Sequence, residues 1–235
     1  MGLSGVGEGL SVVLPLYEGA AFVKAAIQSV IDQKGLPNQW EIIVVDDGST
    51  DNGAQIVRTL AQQQPQIKLE LHPTNRGVAA ARNRGVELAK YEYLGFIDQD
   101  DCWMADKWLV QLQVLRKSTV DYVLGYQKFN LQNPEKPPYW FRQEWVKQPQ
   151  KAFLFGALLT RKSTFLKVGP LEETLKFGFD DVDWFSRAQE SGLTRKMLDH
   201  VVLHRCVHDR NASARTAQSN PELLRLIRAK LARLT

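Results

Sequence analysis

From Tyr93 to Trp103 the chain reads YLGFIDQDDCW: an apolar strand (Tyr93, Leu94, Phe96, Ile97) runs straight into three carboxylates, Asp98, Asp100 and Asp101, and then an aromatic. Like charges a few ångströms apart repel unless a proton or a cation lies between them. The fold must therefore bring something positive to the end of this strand. Hard oxygen donors at a strand mouth suit Mg²⁺ or Mn²⁺, and Mg²⁺ is commonly held by one or two carboxylates with substrate phosphates completing its shell. The plain alternative is an acidic turn that caps the next helix. These residues alone leave both readings open.

The preceding ninety residues narrow the choice. Leu10 to Leu16 (LSVVLPL) and Trp40 to Val45 (WEIIVV) are short, β-branched apolar runs, the pattern of buried parallel strands, and Ile67 to Leu71 is a third short strand. Each is followed by apolar residues at helical spacing: about 20–33, 52–64 and 78–90. Strand and helix in alternation predict an α/β fold, a largely parallel sheet flanked by helices in a single domain, with its ligand at the carboxyl ends of the strands. Those ends read Pro15-Leu16-Tyr17-Glu18, Asp46-Asp47-Gly48-Ser49-Thr50-Asp51 and Asp98-Gln99-Asp100-Asp101.

Composition supports this and excludes other classes. With 235 residues, 44% of them apolar, the chain can bury one large core. A formal net charge of +4 is too mild to signal nucleic acid, and no dense basic stripe interleaves with stacking aromatics. Cys102 and Cys206 form no C-x-x-C and no disulfide framework. Met1 to Gly9 reads as a flexible Gly-rich tail without the apolar core of a signal peptide, and no run approaches a membrane span. The expectation is a soluble, cytoplasmic protein.

After Trp103 a helix (about 105–117) and a strand (121–126) are expected, followed by a long irregular excursion from Gln127 to Lys151 carrying Phe129, Tyr139, Trp140, Phe141 and Trp145. Phe153 to Thr160 reads as an apolar strand, Lys162 to Val168 as a short helix, and Val201 to His208 as a last strand. A second acidic knot, Phe177-Gly178-Phe179-Asp180-Asp181-Val182-Asp183-Trp184, leads into a helix ending near Ser191.

Four segments in this order, SVVLPLYEGAAFVKAAIQSV, EIIVVDDGSTD, NRGVAAARNRGVELAKYEYLGFIDQDDCW and GFDDVDWFSRA, together resemble the family 2 glycosyltransferases of the GT-A fold. The resemblance covers roughly residues 10–213. It implies an inverting, metal-dependent transferase that moves a sugar from a nucleotide sugar, by family habit a UDP-sugar, to a hydroxyl acceptor such as a glycan or lipid-linked glycan in surface polysaccharide synthesis. Matched residue by residue, it places Pro15, Tyr17, Glu18 and Asp47 at the nucleotide base, with Glu18 standing where many members have Asn. Arg76 and Arg82 would flank base and diphosphate, while Arg84 reads as a surface residue. The family's D-x-D motif maps onto Asp98-Gln99-Asp100. Asp100 is the implied direct ligand of Mn²⁺ or Mg²⁺, Asp98 contacts ribose or metal, Gln99 lies on the nucleotide side, and Asp101 is a helix cap or supporting acid. His208 resembles a late family histidine that helps close the metal or diphosphate site. Asp181 matches the proposed catalytic base, with Asp180, Asp183 and Trp184 as acceptor-side or supporting candidates.

From Pro221 the tail places Leu223, Ile227, Leu231 and Leu234 opposite several basic residues, so 214–235 reads as a basic amphipathic helix suited to an anionic membrane surface or to a partner subunit. Two other functions compete. A catalytically inactive nucleotide- or glycan-binding relative would have lost some of Asp47, Asp100 and Asp181, and all three are present. A nucleotidyltransferase of similar fold would carry a Gly-rich phosphate loop after the first strand, and Pro15-Leu16-Tyr17-Glu18-Gly19 is not one.

Overall fold

Four parallel strands, β1 (Leu10–Leu16), β2 (Trp40–Asp46), β3 (Ile67–Leu71) and β4 (Tyr93–Phe96), stand in the order β3-β2-β1-β4 in this computed structural model. It describes residues 9–139, 141–175, 179–209 and 211. The expected tail up to residue 8, the expected basic helix 214–235, Trp140 of the aromatic excursion, and Phe177 and Gly178 of the second acidic knot lie outside these. Gly9, expected in the tail, is already in the fold: its carbonyl accepts the Tyr93 N–H at 3.0 Å.

The strands are joined by α1 (Val23–Ile31), α2 (Gly53–Gln63) and α3 (Val78–Leu88). Helices cover both faces of β1, which is buried along its whole length. Val13 meets Gly85 of α3, whereas Leu16, of opposite parity in the strand, meets Gly53 of α2. The α3 contact is tight: a Cβ on Gly85 would stand 2.3 Å from Val13 Cγ1. Gly85→Ala is expected to cost about 1–3 kcal/mol through overpacking, seen as a lower denaturant midpoint with an unchanged slope.

The second half of the sheet is mixed. β4 pairs antiparallel with β8 (Leu159–Arg161), β8 antiparallel with β6 (Tyr122–Leu131), and β6 parallel with β9 (Arg195–Val207). β5 (Cys102–Trp103) lies antiparallel on β9, and β7 (Gln150–Lys151) on β6. α4 (Lys107–Lys117), α5 (Glu144–Lys147), α6 (Lys162–Val168) and α7 (Asp180–Glu190) complete the described elements.

Three sequence expectations change here. Phe153 to Thr160 is not one strand: Phe155–Ala157 forms a 3-10 turn before β8. Lys107 and Gln111, both fully buried in α4, hold that turn, donating to the carbonyls of Leu158 at 3.1 Å and Ala157 at 2.8 Å. The irregular excursion starts later than expected, because β6 continues to Leu131 by pairing with residues 203–207 of β9. β9 itself starts at Arg195 rather than Val201, and its register against β6 shifts at Tyr126, which erases the clean alternation a strand search relies on. Two-residue β5 was not expected from sequence; it is too short to carry a pattern.

Beneath the carboxyl ends of the strands Phe96, Tyr122, Phe155, Phe165, Trp184 and Phe185 interlock at centroid distances of 4.9–6.2 Å. This aromatic layer is the floor of the site.

Candidate active site

β2, β1 and β4 end side by side, where a parallel sheet places its ligand crevice. Past β1 the chain turns sharply through Glu18, whose φ of 50° is one of two positive values among the described non-glycine residues. Side chains of the turn after β2 hold it there. Glu18 N–H donates to Ser49 Oγ at 3.0 Å, Ala20 N–H donates to Asp51 Oδ2 at 2.8 Å, and the Glu18 carboxylate accepts the Thr50 N–H at 2.7 Å. Glu18 thus braces the turn. Pro15 is buried inside β1, opposite Val45, while Tyr17 is 44% exposed.

Asp47 is buried and fixes the entrance to α3. Its Oδ2 accepts the Gly77 N–H at 2.7 Å, its Oδ1 accepts the Arg76 N–H at 3.0 Å, and His72 Nδ1 stands 2.7 Å from Oδ1. Gly77, at φ 101°, takes a backbone shape that only glycine adopts without strain. The Arg76 guanidinium is half-exposed and reaches Glu173 at 3.2 Å. Arg84 pairs with Glu70 and Glu87 on the surface, as expected of a solvated helix residue.

Arg82, implied to flank base and diphosphate, is engaged by two carboxylates. Its guanidinium is buried, bonded to Asp98 on one side and to Asp180 Oδ2 at 2.6 Å on the other, and stacked 5.1 Å from the Phe155 ring. The two carboxylates hold the guanidinium more firmly charged than usual, despite the burial that opposes charge. One residue of α3 therefore ties the end of β4, 16 positions away, to the start of α7, 98 positions away.

Asp100 and His208, 108 residues apart, meet at 3.0 Å through Oδ2 and Nε2. His208 is buried and stacks on Phe22 at 4.6 Å and 11°. Asn211 completes the cluster: its Nδ2 donates to Asp100 at 3.0 Å and its Oδ1 accepts the His208 N–H at 2.6 Å. Asp101 is not the helix cap the sequence suggests. It points inward, accepts the Cys206 N–H at 3.0 Å, and burial together with Asp100 pushes its carboxyl well above the usual range. Gln99 turns away from both acids onto the backbone of Tyr17.

At the start of α7 three acids share the first turn, and each has a different fate. Asp180 is spent on Arg82. Asp183 is buried and pairs with Arg187 at 2.7 Å, whose other nitrogens donate to the carbonyls of Val168 and Pro170. Asp181 is half-buried and holds the Val182 N–H at 2.7 Å. Burial first, and then the neighbouring charge of Asp180, push its carboxyl up to about 7, against a smaller pull downward from Arg82. Trp184, expected as an acceptor-side or supporting residue, is fully buried among the aromatics, stacked on Phe165. Its large apolar ring outweighs its position beside the acids.

Sequence reasoning missed His72, Phe22 and Asn211. Phe22 reads as one more apolar residue of a helical stripe, and a lone Asn in a polar run carries no pattern at all.

A profile of glycosyl transferase family 2 matches residues 11–171, well over half of the chain. The chain belongs to this family. Among relatives of this family 2 glycosyltransferase is the Escherichia coli UDP-Glc:alpha-D-GlcNAc-diphosphoundecaprenol beta-1,3-glucosyltransferase WfgD, 31% identical over 116 residues, which are 49% of this chain and 44% of that protein. The Staphylococcus aureus TarS 1–349 structure in complex with UDP superposes with a TM-score of 0.70 at 21% identity, covering 94% of this chain and 65% of that one. The Pyrobaculum calidifontis mannosyltransferase PcManGT in complex with GDP-Man and Mn²⁺ gives 0.68 at 20% identity, covering 87% and 59%. At such identities the structures establish the shared GT-A fold. In each case the match spans less than two thirds of the other protein.

Proposed function

We propose that this family 2 glycosyltransferase moves a sugar from a nucleoside diphosphate sugar, with UDP as its nucleotide, to a hydroxyl of a glycan or lipid-linked glycan acceptor, inverting the anomeric centre. The observation that carries this reading is the meeting of Asp100 with His208 at 3.0 Å, at a strand end where Asp98 is paired with Arg82 and Asp101 points inward. A divalent cation taking the place of the proton shared between them would find one carboxylate oxygen and one imidazole nitrogen as ligands. Two protein ligands are few for such an ion, so diphosphate oxygens would complete its shell. The nitrogen ligand favours Mn²⁺ over Mg²⁺. Bound there, the ion would supply a Lewis acid that neutralises charge on the departing nucleoside diphosphate. The UDP and GDP-Man/Mn²⁺ complexes of TarS and PcManGT support the donor class.

Tyr17 offers its ring to the base, and Asp47 and Arg76 line the same crevice. Asp181 takes the proton from the acceptor hydroxyl as it attacks; a carboxyl near 7 is a stronger base than an ordinary aspartate and still ionises at neutral pH. No described helix is long and apolar enough to cross a membrane, and our reading places the enzyme in the cytoplasm, at the inner membrane face where lipid-linked acceptors are reached.

Calorimetric titration of UDP, dTDP, GDP and CDP, with and without Mn²⁺, tests this on wild type and Asp100→Ala. The expected result is UDP binding that needs Mn²⁺ and weakens at least about tenfold in Asp100→Ala, the loss of one charged contact. Absence of binding by every nucleotide under every metal condition would overturn the proposal.

A further inference from the structure

We infer that Gln99, the residue between Asp98 and Asp100, is a positioning residue for the base-binding wall: its amide fixes the backbone of Tyr17 and so sets where the Tyr17 ring stands relative to the two acids. This rests on the nucleotide-binding reading above.

The sheet stops short of Tyr17 on both sides. β1 and β4 pair in register only as far as Val13 opposite Phe96, with one more bond from Ile97 N–H to the Val13 carbonyl at 3.1 Å. On the other side β2 accompanies β1 to Leu16 opposite Asp46, ending with the Asp47 N–H donating to the Leu16 carbonyl at 2.8 Å. Tyr17 lies beyond both ladders, so neither strand supplies backbone partners for it. Gln99 does. Its Oε1 accepts the Tyr17 N–H at 2.8 Å and its Nε2 donates to the Tyr17 carbonyl at 2.9 Å. A primary amide presents one donor and one acceptor side by side, as a strand backbone does. The side chain therefore extends the sheet by one rung, across 82 positions of sequence.

The neighbouring residues are shaped around this rung. A Cβ on Gly19 would stand 2.3 Å from Gln99 Oε1 and 2.5 Å from its Cδ, so only glycine leaves room for the amide. Glu18, between Tyr17 and Gly19, keeps its positive φ with its own N–H on Ser49 and its carboxylate on Thr50. Tyr17 is thus held from two sides while its ring stays open to the crevice. A ring ordered before binding does not have to be ordered by the ligand, which is the gain from preorganisation. Both oxygen and nitrogen of the Gln99 amide are engaged in this way. Gln99 therefore acts on the nucleotide through Tyr17.

The test uses Gln99→Met, which keeps length and loses both hydrogen bonds, Gln99→Glu, which keeps the acceptor and loses the donor, Tyr17→Ala, and the double variant Gln99→Met/Tyr17→Ala. UDP with Mn²⁺ and pyrophosphate with Mn²⁺ are the titrants, and Tyr17 amide exchange is followed in the ligand-free protein. Gln99→Met should weaken UDP about tenfold, the worth of two ordinary hydrogen bonds, and leave pyrophosphate unchanged. Gln99→Glu should fall between Gln99→Met and wild type. The double variant should bind UDP no more weakly than Tyr17→Ala alone. Tyr17 amide exchange should speed up in Gln99→Met.

Additive losses in the double variant, or an equal loss for pyrophosphate, would overturn the inference by making Gln99 a direct contact of nucleotide or metal turn. Unchanged Tyr17 exchange would overturn it whatever the nucleotide does. Wild-type binding of UDP with an unaffected Gln99→Met would overturn this inference and leave the nucleotide reading standing. Failure of wild type to bind any nucleotide would overturn both.

Discussion

Replacing Asp181 by Asn is expected to lower kcat for sugar transfer by about 10²–10⁴-fold, the usual share of a positioned general base, while UDP binds as it does to wild type. The amide keeps the size of the side chain and cannot take the acceptor's proton. On the proposed role the same group sets the pH dependence. With its carboxyl raised to about 7, chiefly by burial and then by Asp180, wild-type kcat/KM should fall about tenfold per pH unit below that value and level off above it.

Stability runs the other way. The folded protein keeps the Asp181 proton up to about pH 7, whereas the unfolded chain releases it near the ordinary 3.8. The folded state therefore binds more protons between those values. The contribution of Asp181 to stability is full below about pH 4 and is lost as pH rises through about 7. Asp181→Asn removes this dependence. Its Tm relative to wild type should be higher at about pH 8 than at about pH 5, read by scanning calorimetry on either side of the titration. An Asn variant with near-normal turnover would move the base role to another residue.

Arg82→Met should be the most destabilising single change in the site, at about 3–5 kcal/mol, because it strands charges that one guanidinium now neutralises. Asp180 is almost fully buried whereas the Asp98 side chain is 33% exposed, so most of the cost falls on Asp180. Arg82→Met/Asp180→Asn should accordingly recover part of the loss in denaturant unfolding. The excess over additivity in that cycle measures the pairing. Arg82→Lys should rescue poorly, since an ammonium lacks the planar fork that reaches both carboxylates at once. Where the variants stay folded at the assay temperature, the acid limb of the rate profile should move to higher pH, because Arg82 holds the Asp181 carboxyl down. Equal stability of Arg82→Met and wild type would contradict the bridge.

The strands and helices of the parallel half were legible because their signals are local. LSVVLPL and WEIIVV are mostly apolar, each interrupted by one polar residue near its start, and the helices between them repeat every three to four residues. The acids at the strand ends were legible too, since a carboxylate cluster straight after an apolar run must be met by a cation, a proton or a helix end. The family follows from the same ordered motifs, matched over residues 11–171.

What each acid does was not legible. Asp180, Asp181 and Asp183 are chemically alike and close in sequence, yet one faces Arg82, one stays half-buried beside it, and one faces Arg187. No spacing within DDVDW distinguishes them, because it says nothing of what each side chain meets once α7 has docked. Trp184 likewise reads as a site residue by position and is a core residue by packing. Residue order alone dictates the α/β scaffold and the crowding of carboxylates at one edge of its sheet, because both rest on patterns a few residues long. Packing in three dimensions assigns Arg82 to Asp98, sets Asp100 against His208 and puts Gln99 on Tyr17. Those contacts span 16 to 108 positions, and they exist only once the strands have set their ends side by side.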